Sequence, residues 1–270
     1  MTKKYFSVIL PVYINDKYNI FKKSFNSILN QTLKPKEIII LFDGPVDLKI
    51  KNFLKIKKKN KPFIKVLNFK ENRGLGYILN YGVKKCKYDY VARCDADDFS
   101  RVDRFEKQME YLANNPKIDV LGANIYEINN NKIISKKKMK LNHKDISKQI
   151  LFRNPINHSS VFFKKKKLIK SGNYKEMFYF EDYYMWFRMM NKGFYFNNLP
   201  DYLVFMNVDR NYFHRRTGLK YFRYYLTFLK TLYKKKLINF FTLLICFLIR
   251  LPIIIINTSI LRLIYKIILR

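Results

Sequence analysis

The stretch YDYVARCDADDFSRVDRFEKQMEYLANN, Tyr88–Asn115, decides how the rest of the chain is read. It opens with an apolar run, YDYVARC, that reads as a buried strand, and closes with RVDRFEKQMEYLANN, a helix stopped before Pro116. Between them stand Asp95, Asp97 and Asp98. Like charges this close stay ionised together only where something positive lies among them. A divalent metal would serve, since Mg²⁺ and Mn²⁺ take hard oxygen ligands. A solvated acidic turn is the plainer alternative.

Upstream, the same strand–helix alternation recurs. YFSVILPV is a strand run, followed by KYNIFKKSFNSILNQ with apolar residues at helical spacing. EIIILF and LKIKNFLKIKKK form the next pair, and FIKVLNF and GLGYILNYGVKKC the third. Downstream, IDVLGANIYEI reads as a strand, NNNK at 129–132 as a hairpin turn, HSSVFFKK as a strand and EDYYMWFRMMNKG as a helix ended by Gly193. Repeated β-α units imply an α/β fold with a mainly parallel sheet covered by helices on both faces. Ligands of such sheets sit beyond the carboxyl ends of the strands. Asp43, Arg73 and the Asp95–Asp98 group fall just past three strand ends.

Composition bounds the partners. The chain has 270 residues, of which 49% are hydrophobic and 17% aromatic, enough apolar surface for a core. Cys86, Cys94 and Cys246 show no metal or redox spacing, which points to a reduced, cytosolic setting. MTKKYFSVILPVYIND reads as a strand and not as a signal peptide. The formal charge is +34, and after Asp209 there are 13 Lys and Arg with no acidic residue. A one-sign tail suits a polyanionic partner, either nucleic acid or an anionic membrane face. No nucleic-acid module is recognisable, so nucleic acid is not expected.

The tail has its own character. KYFRYYLTFLKTLYKKK is aromatic and basic, and LINFFTLLICFLI, residues 237–249, is free of charge. A spanning helix needs roughly 20 apolar residues. This run is shorter, and extending it to Leu261 would bury Arg250 and tolerate Pro252. Arg262, Lys266 and Arg270 then recur on one helical face. We expect amphipathic and apolar helices lying in a membrane interface, the alternative being helices packed on the core.

Each candidate site residue has a plain reading beside the functional one. Asp43 can start a turn with Gly44-Pro45, or accept a base N–H. Arg73 can be solvated, or contact phosphate or base. Glu181 and Asp182 can be helix-start charges or a general base. His158 can be a core histidine. His214, Arg215 and Arg216 can be surface charge or hold a diphosphate.

Taken together, SVILPVY, SFNSILNQTLKPKEIIILFDGP, ENRGLGYILNYG, VARCDADDFSRVDRFEKQMEYLANNPKIDVLGANI, NHSSVFFKK, YFEDYYMWFRMMNKG and RRTGLKY resemble a family-2 glycosyltransferase of GT-A fold. The nearest branch is the one related to amylovoran, capsule and O-antigen side-chain synthesis. The resemblance implies a nucleotide-sugar donor, most simply a UDP-sugar. Pro11, Val12, Tyr13 and Asp43 would line the uracil pocket, Arg73 would approach the nucleotide, and Ala96 would lie among the donor contacts. Asp95 would touch ribose or metal, and Asp97 would hold Mn²⁺ or Mg²⁺ directly. Asp182 would be the base of an inverting transfer with Glu181 supporting it, and His158, His214, Arg215 and Arg216 would contact acceptor or diphosphate.

The resemblance also has departures: Phe42 stands where many relatives have an acidic residue, and Ser159 where Pro is frequent. The implied organisation is a catalytic domain at 1–220 and a membrane-associated extension at 221–270. The chain would lie on the inner face of the cytoplasmic membrane, facing a lipid-linked glycan acceptor. Two rivals stay open at this point, a sugar nucleotidyltransferase and a basic nucleic-acid-binding protein.

Overall fold

A computed structural model describes residues 5–208, 212 and 215–254. His214 and the basic face expected from Arg262, Lys266 and Arg270 lie outside the described residues. The first half alternates as expected except for the short β5: β1 (Phe6–Tyr13), α1 (Tyr18–Leu29), β2 (Glu37–Asp43), α2 (Leu48–Lys59), β3 (Ile64–Asn68), α3 (Leu75–Lys85), β4 (Tyr90–Arg93), β5 (Phe99–Ser100) and α4 (Arg104–Asn114). There follow β6 (Ile118–Asn129), β7 (Lys132–Lys137), α5 (His143–Gln149), a 3-10 turn (His158–Ser160), β8 (Phe162–Lys164), α6 (Lys165–Lys170), α7 (Glu181–Asn191) and β9 (Tyr195–Asn207). Two helices, α8 (Gly218–Lys234) and α9 (Phe240–Arg250), and a 3-10 turn (Leu251–Ile254) close the described chain.

The strands form one sheet in the order β3-β2-β1-β4-β8-β6-β9-β5, with β7 paired to β6 off this path. β3, β2, β1 and β4 run parallel, as do β6 and β9, while β5, β7 and β8 pair antiparallel. Central β1 alternates between two cores: Ile9 joins Ile39, Leu41 and Val91 on one face, and Val8 and Leu10 join Ile38 and Ile40 on the other. That is why its sequence is apolar on both parities. The NNNK turn holds Asn130 and Asn131 at φ 47° and 63°, the left-handed pair a tight hairpin demands.

Two local expectations change, and one strand was not foreseen. HSSVFFKK is a strand only over Phe162–Lys164, because His158–Ser160 turns in a 3-10 helix first. The helix expected from Arg101 begins at Arg104, because Phe99 and Ser100 are drawn into pairs with Phe205 and Val204 of β9. β9 itself has no clean period, and Pro200 and the register shifts against β6 account for that.

α8 is part of the core. Tyr221, Phe222, Tyr225, Phe228, Leu229 and Leu232 are buried along one side of it, and Phe228 stacks on Phe180 at 4.9 Å. A boundary at 220 falls inside this helix. α9 buries only Cys246 and turns Phe240, Phe241, Leu244, Ile245, Leu248 and Ile249 to solvent. Among the described residues no helix is long and apolar enough to cross a membrane.

Candidate active site

The ends of β1, β2 and β4 build one rim of the cleft. Tyr13 and Asp43 are register neighbours at the ends of β1 and β2. Tyr13 is exposed there, whereas the side chains of Val12 and Ala96 lie in the core, so Val12 offers a ligand its backbone alone. Pro11, one residue earlier on β1, is buried too.

Asp43 is buried, and its two oxygens accept the backbone N–H of Arg73 at 2.6 Å and of Gly74 at 3.1 Å. It therefore fixes the loop that opens α3. Gly44 permits this geometry: its φ is +83°, and a side chain there would meet the Asn72 nitrogen at 2.8 Å. The Arg73 guanidinium is left over the Tyr77 ring at 5.7 Å, with Glu71 4.0 Å away.

After β4 the chain places oxygens of Asp95, Asp97 and Asp98 within 4.8 Å of one another. The three are not equivalent. Asp98 is buried and accepts the Asn207 N–H at 2.9 Å and the Ser159 hydroxyl. Asp95 is held through its carbonyl, which accepts the Ser24 hydroxyl at 2.7 Å, and through its carboxylate, which pairs with Arg93. Asp97 is the open one. Desolvation in the cleft, and then the Asp95 charge, push it up to about 6. An exposed carboxylate beside two anchored ones is a donor set that fits a hard divalent cation. Asp16 joins the same field: it accepts the Tyr13 N–H at 2.8 Å, and burial, then the charges of Asp97 and Asp95, work to raise it to about 7. Arg215 opposes them, its charge bearing on both Asp97 and Tyr13. Arg216 instead covers the Tyr212 ring at 3.8 Å and donates to the Tyr212 carbonyl.

The second carboxylate group begins α7. Asp182 accepts the Asn154 side-chain amide at 2.7 Å and the Tyr183 N–H at 2.8 Å. Burial raises its pKa against those two hydrogen bonds. Glu181 is pushed up to about 7, by burial first and by the Asp182 charge. Gly76 brings the start of α3 against this group: a side chain there would meet the Lys175 carbonyl oxygen at 2.7 Å and Glu181 Cγ at 3.2 Å.

Arg93 joins the two groups. Its buried guanidinium pairs with Asp95, and its charge also bears on Asp98, Glu181 and Asp182. The positive charge that the acidic cluster calls for is thus partly built into the strand that precedes it. Arg93, Asn154, Ser159 and Asp16 are the residues that sequence reasoning left without a role. Only Arg93 carried a signal, a cation ending an apolar strand beside three carboxylates. His158 donates to or accepts from the Tyr174 hydroxyl at 2.7 Å and stands edge-on to Trp186. Burial, then the Arg93 charge, hold it well below its ordinary value, so it is neutral.

Residues 7–172 match the glycosyl transferase family 2. An amylovoran biosynthesis glycosyltransferase of Erwinia amylovora is 33% identical over 218 residues, covering 81% of this chain and 82% of that protein. An Escherichia coli UDP-Gal:alpha-D-GlcNAc-diphosphoundecaprenol beta-1,3-galactosyltransferase is 32% identical over 219 residues, covering 80% and 78%. Among solved structures, the mannosyltransferase PcManGT of Pyrobaculum calidifontis, in complex with GDP-Man and Mn²⁺, superposes with a TM-score of 0.63 at 15% identity. The match covers 87% of this chain and 64% of that one, so the chain spans just under two thirds of that structure's length.

Proposed function

The chain belongs to glycosyl transferase family 2 and has a GT-A-like α/β fold, and from that premise we propose that it moves one sugar from a UDP-sugar, with inversion, to a hydroxyl of a growing surface glycan carried on a polyprenyl diphosphate. One observation carries this reading: the open Asp97 and the Glu181–Asp182 pair face a common buried cation, Arg93, at the carboxyl end of the sheet. The UDP-sugar and the lipid diphosphate acceptor are taken from the galactosyltransferase relative, whose name states both.

Tyr13 and Asp43 frame the nucleoside end of the cleft, and Arg73 reaches it from the loop that Asp43 fixes. Asp97 and Asp95 would hold Mn²⁺ or Mg²⁺, whose charge, when the ion is bound, offsets that developing on the departing diphosphate. Arg215 and Arg216 would share the diphosphate. Asp182 takes the proton of the attacking hydroxyl. Asn154 and the Tyr183 N–H occupy one lone pair on each of its oxygens and so orient the others toward the acceptor. Glu181 supports that carboxylate from the same helix end.

Membrane attachment is assigned to α9 and the chain beyond it. The six exposed apolar side chains of α9 begin four residues after Lys234, Lys235 and Lys236, which suits an anionic lipid surface. On this reading the enzyme lies peripherally on the inner face of the cytoplasmic membrane. The catalytic unit then runs through α8.

A donor screen tests the reading. The full chain is incubated with Mn²⁺ and a panel of nucleotide sugars, with and without a polyprenyl-diphosphate-linked sugar. Acceptor-dependent release of UDP is expected. Release of pyrophosphate would instead mark a nucleotidyltransferase.

A further inference from the structure

Immediately before Glu181 the chain makes a tight turn in which the Phe180 N–H donates to the Met177 carbonyl at 2.6 Å. The turn sets two large rings outside the core: Phe178 is 56% exposed and Tyr179 38%. Tyr179 has φ +69°, a left-handed conformation that a bulky L residue rarely adopts. Two tyrosines of α8 complete the group. Tyr224 lies 4.8 Å from Phe178 and 5.7 Å from Tyr179, and Tyr221 lies 5.6 Å from Tyr179, centroid to centroid. Phe178 and Tyr179 are themselves 4.6 Å apart, nearly perpendicular.

The position of this group matters more than its size. Its inner side is anchored, since Tyr221 packs on Phe180, which stacks on Phe228. Its loop leans on the start of α3 through the close approach of the Lys175 carbonyl to Gly76. α8 begins just after Arg215, whose charge reaches Asp97. The rings therefore sit on the turn that leads into α7, three residues before Asp182, between the start of α3 and α8.

We propose that Phe178, Tyr179 and Tyr224 form an aromatic platform that binds the acceptor sugar ring beside Asp182. The proposal rests on the glycosyltransferase reading above. A pyranose presents an apolar C–H face that stacks on aromatic rings, while its hydroxyls need polar partners at the edge. The platform offers both, with ring faces and the two phenolic hydroxyls of Tyr179 and Tyr224. The exposed face of α9, by contrast, carries Phe, Leu and Ile without a hydroxyl, which suits hydrocarbon. A left-handed turn at a bulky residue is the kind of backbone strain that clusters at ligand sites.

The test uses the full chain. Binding of methyl glycosides of glucose, galactose and N-acetylglucosamine is followed by saturation-transfer NMR, and UDP binding with Mn²⁺ is titrated in parallel. At least one glycoside should bind through its ring protons. Phe178→Ala and Tyr224→Ala should each weaken that glycoside about tenfold, Phe178→Trp should retain it, and UDP affinity should stay within about twofold. Phe178 is exposed, so its variants should keep the parent melting temperature.

Absence of any glycoside signal, or equal binding by wild type and both alanine variants, overturns the platform. Dodecyl phosphate is titrated into the same variants, and a loss of its binding without loss of the glycoside makes the rings a lipid contact and also overturns the platform. A wild-type protein that binds glycoside but neither binds UDP nor releases it from a UDP-sugar instead defeats the glycosyltransferase reading, so the two failures are distinguishable.

Discussion

Arg93 pairs with Asp95 through Nη1 while its Nε, buried, has no hydrogen-bond partner. The guanidinium is therefore held by charge on several sides more than by a complete set of hydrogen bonds, and the same charge lowers Glu181 and Asp182. Breaking a buried pair by removing one partner costs about 3–5 kcal/mol. Arg93→Met should lower stability by that amount in urea unfolding. It should also move the acid limb of the kcat–pH profile upward, because both carboxyl groups lose a cation that favours their ionised forms. An acid limb that stays in place would show that Arg93 serves the fold alone.

Asp97 and Asp98 should part company on mutation. Asp97 is open, so Asp97→Asn should keep the parent melting temperature and lose the Mn²⁺-dependent part of UDP affinity. Asp98 holds the Asn207 N–H and the Ser159 hydroxyl. Asp98→Ala leaves these unsatisfied and should cost about 1–3 kcal/mol of stability. Calorimetry of UDP with and without Mn²⁺, beside thermal melts, reads both. Unchanged metal dependence in Asp97→Asn would remove it as a ligand.

Asp182→Asn should leave UDP affinity intact and reduce kcat about 10²–10⁴-fold, the usual contribution of a positioned base. Asn154→Ala should fall between the two, because it frees one carboxylate oxygen without removing the proton acceptor. Turnover is measured at saturating donor and acceptor, so that chemistry is separated from binding. If Asn154→Ala loses as much as Asp182→Asn, the asparagine itself touches the substrate.

Glu181 makes stability depend on pH. Its folded pKa, about 7, lies above its ordinary 4.5. Its neutral form is the one the fold favours, so the stability it contributes is complete below about 4.5 and is lost as pH rises through about 7. Glu181→Gln stays neutral throughout. It should match or fall slightly below the parent at pH 4.5 and exceed it at pH 8, by up to roughly 3 kcal/mol. Equal differences at the two pH values would mean that the carboxyl is not held neutral.

Much of this was legible before the structure. β1 and β2 announce themselves because both of their faces are buried, which makes them unbroken apolar runs. Asp43, Arg73 and Asp97 are legible because they fall past strand ends, where topology alone gathers them. Asn154 and Ser159 are not, because each acquires its role through a distant partner, Asp182 and Asp98, that no local pattern names. β5 was hidden for the same reason, being two residues made a strand by Phe205 and Val204. α8 shows the limit differently. Its stripe of aromatic residues opposite Lys and Arg marks a covered face but does not say whether protein or lipid covers it, and here Phe180, Tyr183 and Phe187 do.

That distinction between α8 and α9 gives the last expected outcome. Ending the chain at residue 220 removes six side chains buried along α8. At about 1.5–3 kcal/mol for each fully buried large apolar side chain, the loss is comparable to the whole stability of a domain, about 5–15 kcal/mol. A 1–220 protein should therefore be unfolded or aggregated, and its failure to bind UDP would say nothing about the tail's role in the site. Substitution of exposed residues avoids this. Phe241→Ser with Ile245→Ser and Ile249→Ser changes only side chains that α9 turns to solvent. The triple variant should melt with the parent and bind UDP with Mn²⁺ equally well. It should float far less with anionic liposomes, and replacing Lys234, Lys235 and Lys236 by Gln should make the remaining binding less sensitive to salt. Undiminished flotation of the triple variant would move the membrane contact away from α9.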